Sequence, residues 1–360
     1  MGKVKIALEP KGVEGLPLPD LIQLGEKQLV EGQVIQRASS SPLYQGRWSK
    51  AGVDAETVRA RGDLRRLPFA TAADVVEAQK RHPLRRFPAS RVSVWFASES
   101  QGEGRKWFPY GKQDVLRYMG LLARLGQVTG LTERDVILFV VPLAPRVTNA
   151  MPYLWMYTDI LETKLKLEFV VGSMFLLGSS NWPEFTLRRQ PTVLVSRPSD
   201  ALALVTHFAE AAGSAEAKPK ELFQRLRAGI FFGEPLDSLR KEIEGVYGLE
   251  PFDCYLSAEF PSLTAECSAH DGLHVWLDVS IPEVIPQAEL EREKREPQHQ
   301  PEAVFLDEAT PATEGELVLT TFGEALPLVR YRTGDLVRVG SNERCPCGVT
   351  HPRVKILGRA

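Results

Sequence analysis

Cys345 and Cys347 stand one residue apart in RCPCG, and ECSAHDGLHVW, well upstream, groups Cys267, His270 and His274. Thiolates and imidazoles are donors that zinc prefers, in tetrahedral sets of four, and two separated segments can supply two each. The set that fits best is Cys267, His274, Cys345 and Cys347, with His270 and His351 as alternates. Cys254 reads as a core residue. Buried free thiols are the plain alternative. Cys345 and Cys347 are too close for an unstrained disulfide, and a chain of 360 residues is not a small disulfide scaffold, so a reduced cytoplasmic setting is expected.

Three further stretches could do chemistry. ASESQGEGRKW offers Ser98, Ser100, Gly102 and Gly104, followed by Arg105 and Lys106. Small residues after a strand let backbone N–H groups approach a phosphate. No G-x-x-x-x-G-K-S/T pattern is present, and read by itself the stretch is better taken as a plain hairpin turn. In YRTGDLVRV, Thr333, Gly334 and Asp335 read as a turn between apolar segments. The Asp335 carboxylate could also accept both hydroxyls of a ribose. In CYLSAEF, Glu259 follows an apolar strand end, where ligands gather in open α/β sheets. It could hold magnesium beside phosphates, or be an exposed acid that starts a helix.

The elements that must position these residues alternate. RVSVWFASESQGEGRKWFPY reads as strand, polar loop, strand, and KQDVLRYMGLLARLGQVTG as an amphipathic helix closed by Gly130. Strands follow at 135–141, 169–177 and 192–196, with a long helix through MPYLWMYTDILETKLKL and another over 199–212. Helix, strand, glycine turn, helix and strand complete an α/β pattern up to Phe260. From 272 onward strands dominate. The organisation is a poorly patterned lead over 1–40, an α/β core over 41–270 and a strand-rich subdomain over 271–360. Its charged, proline-bearing stretch at 286–313 reads as a surface loop or mobile insertion.

Composition removes several function classes. A net charge of −2 argues against a nucleic-acid-coating protein, and Arg81, His82, Arg85 and Arg86 read as a solvated helix end. VILFVVPLA and FVVGSMFLLG are too short to span a bilayer. MGKVKIALEPKG lacks the apolar core of a secretory leader.

Taken in order, AECSAHDGLHVW, EGELVLTTFGEALPLVRYRTGDL and CPCGVTHPRVKILGR, with LRRLPFATAADV and RAGIFFGEPLDSLRKEIEGVYG, form one pattern. It resembles the phenylacetate-coenzyme A ligase-like branch of the adenylate-forming enzymes over roughly residues 40 to 360. The resemblance implies the N-terminal α/β domain of that fold with a strand-rich subdomain. It also implies ATP-dependent activation of an aromatic carboxylate to acyl-AMP, then transfer to coenzyme A. Asp335 then falls on the ribose-binding aspartate, and Glu259 on the glutamate associated with magnesium and phosphate. Tyr255 falls beside adenine, and Gly233, Glu234 and Pro235 line the adenine side. Arg359 matches the arginine of the G-R motif at the junction to a C-terminal domain. Some relatives carry a structural zinc, which selects Cys267, His274, Cys345 and Cys347.

Departures from that pattern matter as much. The family's S-S-G-T-T-G-K-P loop is ASESQGEGRKW here, with Glu99 and Glu103 where they would repel a triphosphate. The glycine of Y-G-x-x-E has become Leu256. Relatives continue past the position of Ala360 into a lid domain that supplies an adenylation lysine. Two functions are therefore carried forward. One is a ligase for a small-molecule carboxylate that needs a C-terminal domain or carrier partner, with a homodimer also left open. The other is a catalytically weak protein that binds nucleotide or acyl-adenylate and acts with a separate partner.

Overall fold

The computed structural model describes residues 12–100, 104–141, 167–174, 181–214, 216–259 and 263–360, with the side chains of 99, 100 and 141 left aside. Two compact units organise the chain, one built mainly on Met119–Leu256 and the other on Ala7–Tyr118 and Asp271–Ala360. The helix expected through MPYLWMYTDILETKLKL lies outside the described residues, as does the end of the 169–177 strand.

The lead contains a helix, α1 (Leu18–Glu31), with Leu21, Gly25 and Leu29 buried along one stripe. Gly25 disguised that stripe in the sequence. A Cβ there would lie 2.8 Å from the Leu277 carbonyl oxygen, so close backbone approach demands glycine. Upstream of α1, the Glu14 carbonyl accepts from the Thr350 N–H at 3.0 Å. The Thr350 hydroxyl donates to the same oxygen at 3.1 Å.

Helix α2 (Ala72–Arg81) starts at Thr71, whose hydroxyl and the Asp74 carboxylate cap each other's backbone. Strands β1 (Val94–Ser100) and β2 (Gly104–Tyr110) form an antiparallel hairpin in which Ser98 pairs with Lys106. The strands on either side of 101–103 pair as the hairpin reading of ASESQGEGRKW expects, and Gly104 stands at φ +92. The Gln79 side chain on α2 clasps Trp107, accepting from its N–H at 3.0 Å and donating to its carbonyl at 2.6 Å. Helix α3 (Lys112–Val128) follows.

The unit built on Met119–Leu256 contains β3 (Val136–Val141), β4 (Glu168–Ser173), β5 (Val193–Ser196), β6 (Ala228–Phe232) and β7 (Glu250–Leu256). All pair in parallel, in the order β4-β3-β5-β6-β7. Near-continuous apolar runs such as VILFVV are what strands buried on both faces require. Helices α4 (Trp182–Arg189), α5 (Pro198–Ala211) and α6 (Arg240–Tyr247) contribute Trp182, Phe208, Ile243 and Tyr247 to the core, with Leu138, Leu194 and Phe231 from the strands.

Strand β8 (Leu263–Glu266) is buried along its whole length. The other unit's sheet comprises β9 (Leu273–His274), β10 (Ser280–Pro286), β11 (Val304–Phe305), β12 (Glu314–Thr321), β13 (Tyr331–Val339) and β14 (Arg353–Arg359). They pair antiparallel in the order β11-β10-β12-β13-β14-β9. The charged stretch read as a loop instead forms α7 (Gln287–Arg295). Its residues are good helix formers, and Leu290 is only 5% exposed. Glu293 of α7 and Glu316 of β12 both grip Arg332.

Arg330 is the charged anchor of this sheet. Its guanidinium meets the fully buried Glu283 at 2.9 and 3.1 Å, donates to the Leu67 carbonyl at 2.8 Å, and lies 4.0 Å over the Phe69 ring. Removing one partner strands a buried charge. Arg330→Ala is expected to cost about 3–5 kcal/mol. Urea unfolding checks this, and a loss below about 1 kcal/mol would contradict the anchoring role.

Candidate functional site

One donor atom from each of Cys267, His274, Cys345 and Cys347 lies within 4.8 Å of the other three. Local structure explains the placement. Cys267 follows β8, and its carbonyl accepts from the His270 N–H at 2.9 Å in a tight turn. His274 is in β9, opposite Arg353 of β14. Cys345 and Cys347 belong to a turn closed by Cys345 N–H to Val349 O and Gly348 N–H to Cys345 O, each 2.8 Å. Gly348 sits there at φ +93. His274 Nε2 is 3.4 Å from Cys347 Sγ, and its Nδ1 has no hydrogen-bond partner among the described residues. Cys267 and His274 are fully buried.

The alternates go elsewhere. His351 Nδ1 accepts from the Leu277 N–H at 3.0 Å. His270 Nε2 lies 3.0 Å from Glu250 and its Nδ1 3.4 Å from Glu266. Cys254 is buried in β7, and burial pushes its thiol well above the ordinary range.

The residues expected on the adenine side stand at the ends of two neighbouring strands. Phe232 of β6 pairs with Cys254 of β7. Gly233, Glu234 and Pro235 continue from one strand end, and Tyr255 lies at the other. The carboxyl ends of parallel strands are where open α/β sheets bind ligands. Gly233 takes φ +85, a conformation that favours glycine. Glu234 accepts from the Ser199 N–H at 2.6 Å and so braces the start of α5.

Around Glu259 the structure differs from the exposed acid that was one reading of the sequence. The residue is 9% exposed. Its Oε1 accepts from the Ser98 hydroxyl at 3.0 Å and lies 2.6 Å from Lys106 Nζ. Lys106 is 1% exposed. Of the other residues expected to face phosphate, Ser100 ends β1 and Gly104 opens β2. Gly102 and Glu103 lie outside the described residues, as does the Glu99 side chain.

Thr333, Gly334 and Asp335 do not form a turn between segments. They lie inside β13, at an irregularity in its pairing with β12. Gly334 adopts φ +72, and the Thr333 hydroxyl donates to the Leu317 carbonyl at 2.9 Å. Asp335 pairs in register with Arg359 of β14, and Arg359 Nη1 meets Asp335 Oδ1 at 2.6 Å. A Cβ on Gly334 would lie 3.1 Å from the Arg359 guanidinium.

The chain is 28% identical to the phenylacetate-coenzyme A ligase of Thermus thermophilus over 96% of its length and 72% of that protein. It is 26% identical to the Escherichia coli enzyme of the same name over 89% of its length and 68% of that protein. The chain resembles the phenylacetate-coenzyme A ligases. A crystal structure of 2-hydroxyisobutyryl-CoA ligase bound to an acyl-adenylate superposes with a TM-score of 0.73 at 21% identity, covering 96% of this chain and 69% of that one. The fold is thus that of the adenylate-forming CoA ligases. No protein-family model matches the chain.

The ligase resemblance does not account for an acidic network on β7. Arg240 bonds both Glu266 oxygens at 2.9 and 3.1 Å. Burial works against the Glu266 carboxylate, but His270, Arg240 and the Asp253 N–H hold it below its ordinary value. Asp253 goes the other way. Burial, then the Glu266 charge, pushes its carboxyl up to about 7. The unfolded carboxyl ionises from about pH 4, the folded one only near pH 7. Asp253 therefore penalises folding increasingly across that window, fully above it and not below it. Asp253→Asn is expected to stabilise the protein by more than about 1 kcal/mol at pH 8, with the gain vanishing near pH 4. Denaturation at both pH values checks this, and a pH-independent difference would contradict it.

Proposed function

We propose that the chain activates an aromatic carboxylate with ATP to an acyl-adenylate. Transfer to coenzyme A follows when a C-terminal domain or carrier partner is supplied. One observation carries the reading: the Gly233–Pro235 segment and Tyr255 stand at adjoining parallel strand ends in a chain similar to phenylacetate-coenzyme A ligases over 96% of its length. In this reaction a carboxylate oxygen attacks the α-phosphorus and pyrophosphate leaves. The coenzyme A thiol then attacks the acyl carbonyl, loses its proton and displaces AMP.

In this reading Tyr255 and the Gly233–Pro235 backbone flank adenine. Asp335 accepts the ribose hydroxyls, with Arg359 holding the carboxylate in place. Ser98, Ser100, Gly102 and Gly104 belong to the loop facing the phosphates. Glu259 is the carboxylate beside them, where the resemblance implies magnesium. The carboxylate does not fit that ion as it stands, because Lys106 already lies 2.6 Å from Oε1. That ammonium also favours the second reading, a protein that binds nucleotide or acyl-adenylate without fast turnover.

Zinc does fit Cys267, His274, Cys345 and Cys347. Three thiols and one imidazole nitrogen are a complete structural donor set, and burial protects it. With no open position, zinc there would clamp the RCPCG turn to β9 and take no part in the reaction. No described helix is long and apolar enough to cross a membrane. None of the four cysteines is in a disulfide, which supports a reducing, cytoplasmic setting as part of this reading.

Pyrophosphate release and thioester formation, assayed separately over a panel of aromatic acids, test the function. Asp335→Ala should weaken ATP binding and pyrophosphate release about tenfold or more, since a well-aimed charged hydrogen bond is worth about 1.5–3 kcal/mol. It should cost little stability, because Arg359 is largely exposed. Absence of ATP binding by the folded protein would refute the reading. Binding without pyrophosphate release, even with a C-terminal domain added, would select the second one.

Elemental analysis should find near one zinc per chain. Cys345→Ser and Cys347→Ser should each lower zinc content and thermal stability together. Metal-free protein of unchanged stability would remove the zinc assignment.

A further inference from the structure

Ser98 and Lys106 face each other across the β1–β2 hairpin. Both reach the same atom, Glu259 Oε1, at 3.0 and 2.6 Å. On β2, Lys106, Phe108 and Tyr110 alternate onto one face, and all three are buried. An ammonium therefore occupies a position that strand periodicity reserves for an apolar side chain. Removing a charge from water is costly unless an opposite charge receives it. Glu259 is that charge, itself 9% exposed.

The same pair decides what else Glu259 can bind. A magnesium ion needs carboxylate oxygen at about 2.0–2.1 Å in near-octahedral geometry. An ion seated on Oε1 would lie against the ammonium, with like charges in a poorly solvated site. The strand hydroxyl adds a donor to the same oxygen and further fills its acceptor capacity.

We propose that Lys106 is a built-in counter-cation: its ammonium takes the place on Glu259 that a divalent ion would take, and keeps such an ion off that carboxylate. The inference rests on the reading of Glu259 as the carboxylate beside the phosphates. It assigns Lys106 the role of a positioning residue that sets the metal requirement of the site. Nucleotide phosphates are then held without a protein-bound metal at Glu259, and any magnesium arrives and leaves as part of the nucleotide complex.

The test uses the full chain and two separate readouts. Mn2+ is titrated into the millimolar range and followed by electron paramagnetic resonance, without nucleotide, for the parent, Glu259→Gln, Lys106→Met and Lys106→Gln. The parent should bind Mn2+ no better than Glu259→Gln. Lys106→Met should gain a site about tenfold tighter, and the Lys106→Met/Glu259→Gln double variant should lose it again. Lys106→Gln, whose amide can still donate to Glu259, should gain the same site if the methionine variant fails to fold. Glu259-dependent Mn2+ binding by the parent would overturn the proposal, and that arm needs no lysine variant. Folded Lys106 variants that gain no site would overturn it as well.

Calorimetry with ATP, in EDTA and in magnesium, is the second readout. Removing metal should weaken ATP binding to the Lys106 variants about tenfold more than it weakens binding to the parent. An equal effect would overturn the proposal. Absence of ATP binding in every protein and condition would refute the nucleotide reading alone, because the Mn2+ titration stands without it.

Discussion

A charge taken out of water has to meet an opposite charge, and the organisation of this protein depends on that requirement. Arg330 on Glu283 ties β10 to the segment before α2. Arg332 joins α7 to β12. Arg61 on Asp307, at 2.9 Å, fastens the early helical turns to the residues after β11. Hydrophobic burial packs helices onto strands within each unit, but it is non-directional and does not set a register. These ion pairs are directional, and each connects elements distant in sequence.

The same requirement makes Lys106 and Glu259 informative. A protein can remove a charge from its core by mutation to an apolar residue, often with no loss of stability. A lysine retained at a core-facing strand position beside an acid therefore carries information about the acid. On the proposed reading, the chemistry of the site is set as much by this internal cation as by the residues that match the ligase pattern.

Much was legible in the sequence where one residue type has one physical job. The apolar run over 135–141 gave a strand, and it is one. The donors Cys267, His274, Cys345 and Cys347 were chosen by chemistry and do stand together. The illegible parts share a cause: the deciding partner was far away in sequence. Gly25 breaks the α1 stripe because of the Leu277 carbonyl. Leu290 is one apolar residue in a charged run, and its burial in α7 depends on packing that local pattern does not show. Thr333 to Asp335 looked like a turn because glycine followed by aspartate usually makes one, whereas the β12 pairing absorbs Gly334 as an irregularity within a strand. Lys106 was grouped with Arg105 after the loop glycines, and its partner Glu259 lies far along the chain.

The contact between Thr350 and Glu14 closes a loop of 336 residues. The entropy of closing a loop rises with its length, so this clasp is among the most expensive contacts for an unfolded chain to make early. A clasp made of a few hydrogen bonds is also a natural first point of local opening. The segment just before α1 is therefore a latch on the stretch that follows the RCPCG turn, and its release would free the two together.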